Sequence, residues 1–338
     1  MSKNILNEGY KKNNFLLSRG IGSKIFYNKK LIDLSFCAGS LLLGHNHKIY
    51  SKTILDLLKN KVSNFAAPNI YAEEYAKILK HDFTNCSKII FCNSGTEAII
   101  KSLRIVKALN EKKKIINVVG SWHGSVDKLL FKPDKNLKPK YLSGGISVVD
   151  KKNLIYIPYN DVPNSKKILD KNKKNISCIL VEPIQGSLPT YECRKYLKFL
   201  SDYCKKNNLI LIFDEMITGL RTNGSTLQKF FKINADISTF GKCFGGGLPI
   251  GIISISKRIE NQLKKKKKVF FGGTFSGNSI SMYCGLKIYK YIKKNRVKIF
   301  KKINTNSKFF EVELNNFFLK NNLDLKIYRF ESILRLVY

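Results

Sequence analysis

The sequence predicts an α/β fold, with an open, mostly parallel sheet covered by helices on both sides and a smaller α+β domain supplied by the two termini. Three observations predict it. From about residue 88, short apolar runs alternate with polar or glycine-rich turns and helical stretches. These runs are apolar on both faces and rich in Ile and Val, as central parallel strands are. Between two of them, "CRKYLKFLSDYCKKNN" sets Tyr196, Leu200 and Tyr203 on one stripe with Leu197 and Cys204 beside it. That is an amphipathic helix closing at Asn207 and Asn208.

Taken in order, residues 1–50 read as the N-terminal part of the small domain, with "SKIFYNKKLIDLS" folding as a hairpin around "YNKK". Residues 51–288 read as the large domain. Its strands are expected at "KIIFC" (88–92), "IINVV" (115–119), "CILVE" (178–182), "LILIF" (209–213), "DISTF" (236–240) and "GIISIS" (251–256), all of them central and parallel. The run "LKKKKKVFF" (263–271) reads as an exposed loop before a buried strand. Residues 289–338 begin the C-terminal part of the small domain, a lysine-rich helix followed by two strands in "LDLKIYRFESILRLVY".

The formal charge of +37, from 61 basic against 24 acidic residues, would ordinarily point to nucleic acid or an anionic membrane. Here the lysines are spread along the whole length and interleaved with asparagine, so they fill solvated faces. No zinc finger, RNA-binding aromatic signature or basic heptad accompanies them, and nucleic acid is not expected as a partner. No uncharged apolar run is long enough to cross a membrane, and the start "MSKNILNEGYKKNNF" lacks the apolar segment of a signal peptide. No two of the eight cysteines have Cys-x-x-Cys spacing, and several lie inside apolar strands or helices. They fit free thiols of a reducing cytosol better than disulfides or a metal site, so a cytoplasmic protein without a metal is expected.

In open α/β sheets, ligands bind beyond the carboxyl ends of the strands. Those ends carry Asn93-Ser94-Gly95-Thr96, then Ser121-Trp122-His123-Gly124, Glu182 with Gln185, Asp214-Glu215, and Gly241-Lys242. Ser94 and Glu97 form a capping box, which by itself accounts for both. The same Ser-Gly-Thr also offers hydroxyls and free N–H groups at a helix N-terminus, a seat for phosphate. Asp214 reads either as a helix cap or ion-pair partner, or as a functional acid; Lys242, in "TFGKCFGGGLPIG", reads either as a surface lysine or as a nucleophile. A Walker loop is excluded, since Cys243 follows Gly241-Lys242 and Asp236 stands where the upstream glycine belongs. A phosphate seat, an acid, a flat aromatic and a lysine at neighbouring strand ends are together what pyridoxal 5'-phosphate requires. Lysine forms a Schiff base, the carboxylate keeps the pyridine nitrogen protonated, the aromatic stacks and the turn holds the phosphate.

The stretches "LLLGHNH", "NSGTEAIIKSLRIVK", "SWHGSVD", "VEPIQG", "LIFDEMITGLR", "FGKCFGGGLPIG" and "GGTFSGN" occur in one order between about residues 30 and 286. In this the chain resembles the class III, pyridoxal-phosphate-dependent aminotransferases, and within them the glutamate-1-semialdehyde aminomutase branch. The resemblance implies the fold type I of these transferases. It implies that Lys242 is the Schiff-base lysine and moves the proton, and that Asp214 pairs with the pyridine nitrogen. Ser94, Gly95 and Thr96 would bind the phosphate, and Thr274 would reach the phosphate of the other subunit of a homodimer. Trp122 would stack on the ring with His123 beside it among the cofactor-binding residues, and Met216 would pack on the opposite face, where valine is more familiar.

Ile217 sits with the aminomutase branch, because many ω-aminotransferases place glutamine there, whereas "VEPIQG" points the other way. The segment that carries a substrate-binding arginine in the aminomutases is shortened, with Arg19 nearby. The chain stops at "ESILRLVY", where the family continues, so the C-terminal part of the small domain is expected to be incomplete. The activity implied is amino-group transfer on a small amino-carbonyl compound, as an aminomutase forming 5-aminolevulinate. The alternatives are a transaminase acting on an amino sugar or ω-amino compound with a separate donor, and a binding homologue without catalysis.

Overall fold

Seven strands form the central sheet of the computed structural model, which describes residues 16–338, so residues 1–15 of the N-terminal segment lie outside the described residues. In chain order they are β1 (Lys88–Cys92), β2 (Lys114–Val118), β3 (Leu154–Ile157), β4 (Ile176–Val181), β5 (Ile210–Asp214), β6 (Ile237–Gly241) and β7 (Gly251–Ile255). Across the sheet they run β1-β7-β6-β5-β4-β2-β3. Strands β3, β2, β4, β5 and β6 pair in parallel. β7 is antiparallel to both β6 and β1, which corrects the expectation of a parallel strand there. Only residues 242–250 link β6 to β7, and a parallel return needs a crossover of about a dozen residues or more, so the chain turns straight back. β3 is a further strand absent from the sequence reading, a short edge element after a lysine run.

Alternation along β5 feeds both faces of the sheet. Leu211 and Phe213 pack with Ile179, Val181 and Leu200 in one cluster, while Ile210 and Ile212 pack with Leu180, Ile237 and Ile253 in another. The covering helices include α1 (Lys48–Lys59), α2 (Ile70–Asp82), α3 (Gly95–Leu109), α4 (Arg194–Lys206), α5 (Ser279–Lys294) and α6 (Arg296–Lys320). α4 buries Tyr196, Leu197, Leu200, Tyr203 and Cys204, and its end passes through Asn207 into the left-handed Asn208. A third cluster joins Phe240 and Ile252 to Tyr75 and Leu79 of α2 and Leu286 and Tyr289 of α5.

At the N-terminal side, Lys24–Phe26 and Lys30–Ile32 form the hairpin around Tyr27–Lys29, with Arg19–Ile21 added as a third strand. Lys326–Phe330 and Ile333–Val337 pair as the C-terminal hairpin. After the lysine run no strand forms. Residues 270–278 are turn and coil, with Gly272 and Gly273 in them, and Phe270 is 71% exposed. The eight cysteines are free, six of them buried. Among the described residues no helix is long and apolar enough to cross a membrane.

The register of β7 decides which strand ends meet. Gly251 lies opposite Gly241 of β6 on one side and Cys92 of β1 on the other, so the residues just beyond β6 and β1 become neighbours. A β-carbon on Gly251 would stand 2.1 Å from the Ser94 carbonyl oxygen, a backbone atom that cannot swing away. Gly251→Ala is therefore expected to lower the unfolding free energy by about 1–3 kcal/mol or more in denaturant titrations. Gly144→Ala, where the added methyl meets nothing within 4 Å, should stay within about 0.5 kcal/mol of wild type.

Candidate active site

The carboxyl ends of β1, β2, β4, β5 and β6 open onto a cavity of about 420 Å³. Its rim on the β1 side is the start of α3. Ser94 caps this helix, its Oγ accepting from Glu97 N–H at 3.1 Å. The returning arm of the capping box reaches one residue further back than expected, since Glu97 Oε2 accepts from Asn93 N–H (2.8 Å) and not from Ser94. The first backbone bond within the helix is Ala98 N–H to Ser94 O at 3.1 Å, so the amides of Gly95 and Thr96 precede it. Thr96 Oγ1 accepts from Ser125 N–H at 3.2 Å, which ties the loop after β2 to the helix start.

That loop carries Trp122 and His123. Trp122 is 60% exposed and its backbone N–H donates to Glu182 Oε1 at 2.6 Å. His123 is buried between two acceptors, with Nδ1 2.7 Å from Asp214 Oδ2 and Nε2 3.1 Å from Asn117 Oδ1. The two contacts fix the orientation of the ring from both sides. Asp214, 2% exposed, takes two further bonds on Oδ1, from Thr239 Oγ1 at 3.2 Å and from Met216 N–H at 3.1 Å. The Met216 sulfur fills the space beside Gly95 and Gly241, where β-carbons would come within 2.9 and 2.6 Å of it.

Lys242 follows β6 at φ 47°, a left-handed residue separated by Cys243 and Phe244 from Gly245, Gly246 and Gly247. Burial lowers the proton affinity of its amine, while Asp214 and Glu182 pull the other way. Glu182, at the tip of β4, is pushed up to about 7 by burial; the His123 ring opposes the rise and the Asp214 charge adds to it. Glu215, wholly buried behind the cavity, is pushed up to about 8 by burial, against the bond its Oε2 accepts from Leu227 N–H at 2.6 Å.

Ser94, Gly95, Thr96, Trp122, His123, Asp214, Met216 and Lys242 thus line one cavity. Thr274 does not; it is exposed in the 270–278 segment. Arg19 also lies apart, its guanidinium 4.5 Å over the Phe26 ring. Two contributors are given no role in the sequence reading. Glu182 is visible there only as an acid at a strand end. Cys37, Ser40 and Leu41 give no signal at all, because only the fold brings the N-terminal segment across the cavity mouth.

The model of the aminotransferase class-III family matches residues 6–323. The chain belongs to this family. Among curated relatives, the glutamate-1-semialdehyde 2,1-aminomutase of Methanosphaera stadtmanae is 31% identical over 335 residues, spanning 97% of this chain and 78% of that one. The protein of the same name from Wigglesworthia glossinidia brevipalpis is 34% identical over 307 residues, 89% of this chain and 69% of the relative. Among solved structures, an omega-transaminase from Sphaerobacter thermophilus superposes with TM-score 0.88 at 21% identity, covering 99% of this chain and 80% of that one. A glutamate-1-semialdehyde aminomutase from Pseudomonas aeruginosa gives 0.83 at 16% identity, covering 96% and 73%.

Membership makes the chain a pyridoxal-phosphate-dependent enzyme, and the cavity suits that group. It offers a helix N-terminus with two hydroxyls for a phosphate, a buried carboxylate held by three donors, an exposed indole and one amine.

Glu215 yields a prediction about pH. Its carboxyl titrates near the ordinary 4.5 when unfolded and near 8 when folded, so between these values the folded chain holds a proton that the unfolded chain has lost. This group therefore removes about 1.4 kcal/mol of stability per pH unit as pH rises through that window. Glutamine keeps the acceptor for Leu227 N–H without titrating. The Tm of Glu215→Gln should match wild type near about pH 5 and exceed it by a growing margin toward pH 8.

Proposed function

We propose that this chain is a glutamate-1-semialdehyde 2,1-aminomutase, exchanging the amino and oxo groups of a small amino-carbonyl compound to give 5-aminolevulinate. The observation that carries the reading is the meeting of Lys242, Asp214 and the Ser94–Thr96 helix start in one cavity. The relatives that share this name along most of the chain point to the substrate. Substrate and product are isomers, so no external amino donor is consumed.

Ser94 and Thr96 hydroxyls, with the Gly95 and Thr96 amides, would take the cofactor phosphate at the positive end of α3. Asp214 would hold the proton of the pyridine nitrogen, itself kept in place by His123 and Thr239. Trp122 would cover one face of the ring and Met216 the other. Pyridoxal phosphate supplies an electron sink conjugated to the substrate carbon, which makes that carbon's proton removable. Lys242 would anchor the cofactor and carry the proton between the two carbons. Burial keeps more of its amine neutral than an exposed lysine would have, and only the neutral amine is nucleophilic.

The same reading takes residues 51–288 as the large domain and residues 1–50 and 289–338 as parts of the small one. It takes the enzyme as a cytoplasmic homodimer with shared sites, supported by the free thiols and by exposed Thr274 lying between exposed Phe270 and Phe275. A second reading, a transaminase with a separate donor, is favoured by "VEPIQG".

Borohydride reduction of the purified chain with pyridoxal phosphate should leave a pyridoxyl adduct on the peptide containing Lys242. Lys242→Ala should lose both adduct and turnover; a variant with full activity would exclude the assignment. Turnover of glutamate 1-semialdehyde without added amino donor is expected. Stoichiometric consumption of a donor amino acid would instead establish the transaminase.

A further inference from the structure

A strained turn forms part of the cavity wall. Phe36, Cys37 and Ala38 all have positive φ, at 48, 55 and 51°, and Gly39 follows at 83°. Three consecutive non-glycine residues in the left-handed region are strained, so the turn persists only because its surroundings hold it. Asp33 Oδ1 accepts from Ser35 N–H at 2.7 Å, and Ser35 Oγ accepts from Ala38 N–H at 3.1 Å. His45 Nε2, 2.7 Å from Asp33 Oδ2, fixes that carboxylate in turn.

The far end of the turn is held from the catalytic side. The Gly39 carbonyl accepts from Arg221 Nη2 at 2.7 Å and from the Cys243 thiol at 3.1 Å, and Cys243 is the residue after Lys242. Arg221 Nη1 also donates to Ser332 Oγ of the C-terminal hairpin at 3.0 Å, and its buried Nε has no partner. A half-buried guanidinium whose bonds all go to neutral groups is not placed there by an ion pair. What it joins is the turn, the Lys242 segment and the C-terminal hairpin.

We infer that Arg221 is a positioning residue, which grips the Gly39 carbonyl and so holds the turn Phe36–Gly39 as the wall of the substrate end of the cavity. Cys37, Ser40 and Leu41 line the cavity from this wall, in the same lining as Asp214 and Lys242. Without the grip the strained turn relaxes, and the wall loses its shape while the Lys242–Asp214 side stays in place. The kinetic consequence rests on the aminotransferase reading; the structural one does not.

The test compares the full chain with Arg221→Gln and Arg221→Lys, by steady-state kinetics and by iodoacetamide alkylation of Cys37, the one cysteine that is exposed. In Arg221→Gln, KM should rise about tenfold while kcat falls less than about threefold, the pattern of lost binding without lost chemistry. Alkylation of Cys37 should speed up several-fold, by about the same factor with and without cofactor. Arg221→Lys should recover part of both effects, because an ammonium reaches Gly39 O but cannot also bond Ser332 as the planar fork does. A lower Tm with KM and Cys37 reactivity unchanged would overturn the inference and leave Arg221 a scaffold residue. So would a fall in kcat at unchanged KM. Should Arg221→Gln fail to fold, Arg221→Lys decides: wild-type KM and alkylation rate there overturn the inference. If even wild type shows no turnover, the proposed function fails, and the alkylation rates alone still decide the role of Arg221.

Discussion

Asp214 is buried at the tip of β5, and a carboxylate taken out of water there costs several kcal/mol unless donors replace the lost hydration. The donors come from three places: His123 after β2, the Thr239 hydroxyl in β6, and the amide of Met216 in the chain's own next turn. That requirement constrains the sheet. β6 must lie next to β5 for Thr239 to face Asp214, and the end of β2 must come close enough for His123 to reach across β4. His123 is held in turn by Asn117, inside β2. One buried charge therefore ties three strand ends into a single rigid group, and the cavity takes its shape from that group.

The antiparallel β7 supplies what parallel strands could not. An unbroken parallel sheet would put a crossover helix between β6 and its neighbour and carry the chain away from the cavity. The direct return through 242–250 instead keeps Lys242 on a short glycine-rich turn. The pairing of Gly251 with both Gly241 and Cys92 then draws that turn beside the start of α3. The glycines at 241 and 251 are demanded by proximity: to the Met216 sulfur and Ile250 carbonyl in one case, and to the Ser94 carbonyl in the other. Amine and helix N-terminus, far apart in sequence, follow the two strands that flank β7.

Most of this site is legible in the sequence because each part sits directly after a strand that is apolar on both faces. In a parallel sheet, being next in sequence to such a run means being at the same edge. The direction of β7 is not legible, since apolar patterning carries no sign; only the shortness of 242–250 holds that information. β3 is apolar throughout, as "LIYI", but only four residues long, so its trace is brief. The strand expected after the lysine run rests on "VFF", yet two glycines follow and only Phe271 is packed into the core. The cavity wall at 37–41 depends on the Asp33–His45 and Arg221–Gly39 contacts, and no local pattern announces either. Among the described residues most lysines are solvated, as their spread along the chain implies, and Lys242 is joined by a second that is not. Lys101 is buried in α3, where its Nζ donates to Ser276 Oγ at 3.2 Å and so joins that helix to the segment carrying Thr274.

Three carboxyl groups crowd this end of the sheet, and the distribution of donors separates them. Asp214 receives a ring nitrogen, a hydroxyl and an amide, whereas Glu182 and Glu215 receive backbone amides only and are raised by burial to about 7 and about 8. Asp214 and, more weakly, Glu182 hold the proton on Lys242, and all three line the cavity. At neutral pH Glu182 is only partly ionised, so its pull on the lysine proton is partial. As pH rises Glu182 ionises, and its pull on the lysine proton strengthens. A buried acid poised near neutrality thus opposes, as it ionises, the loss of the amine proton that burial favours.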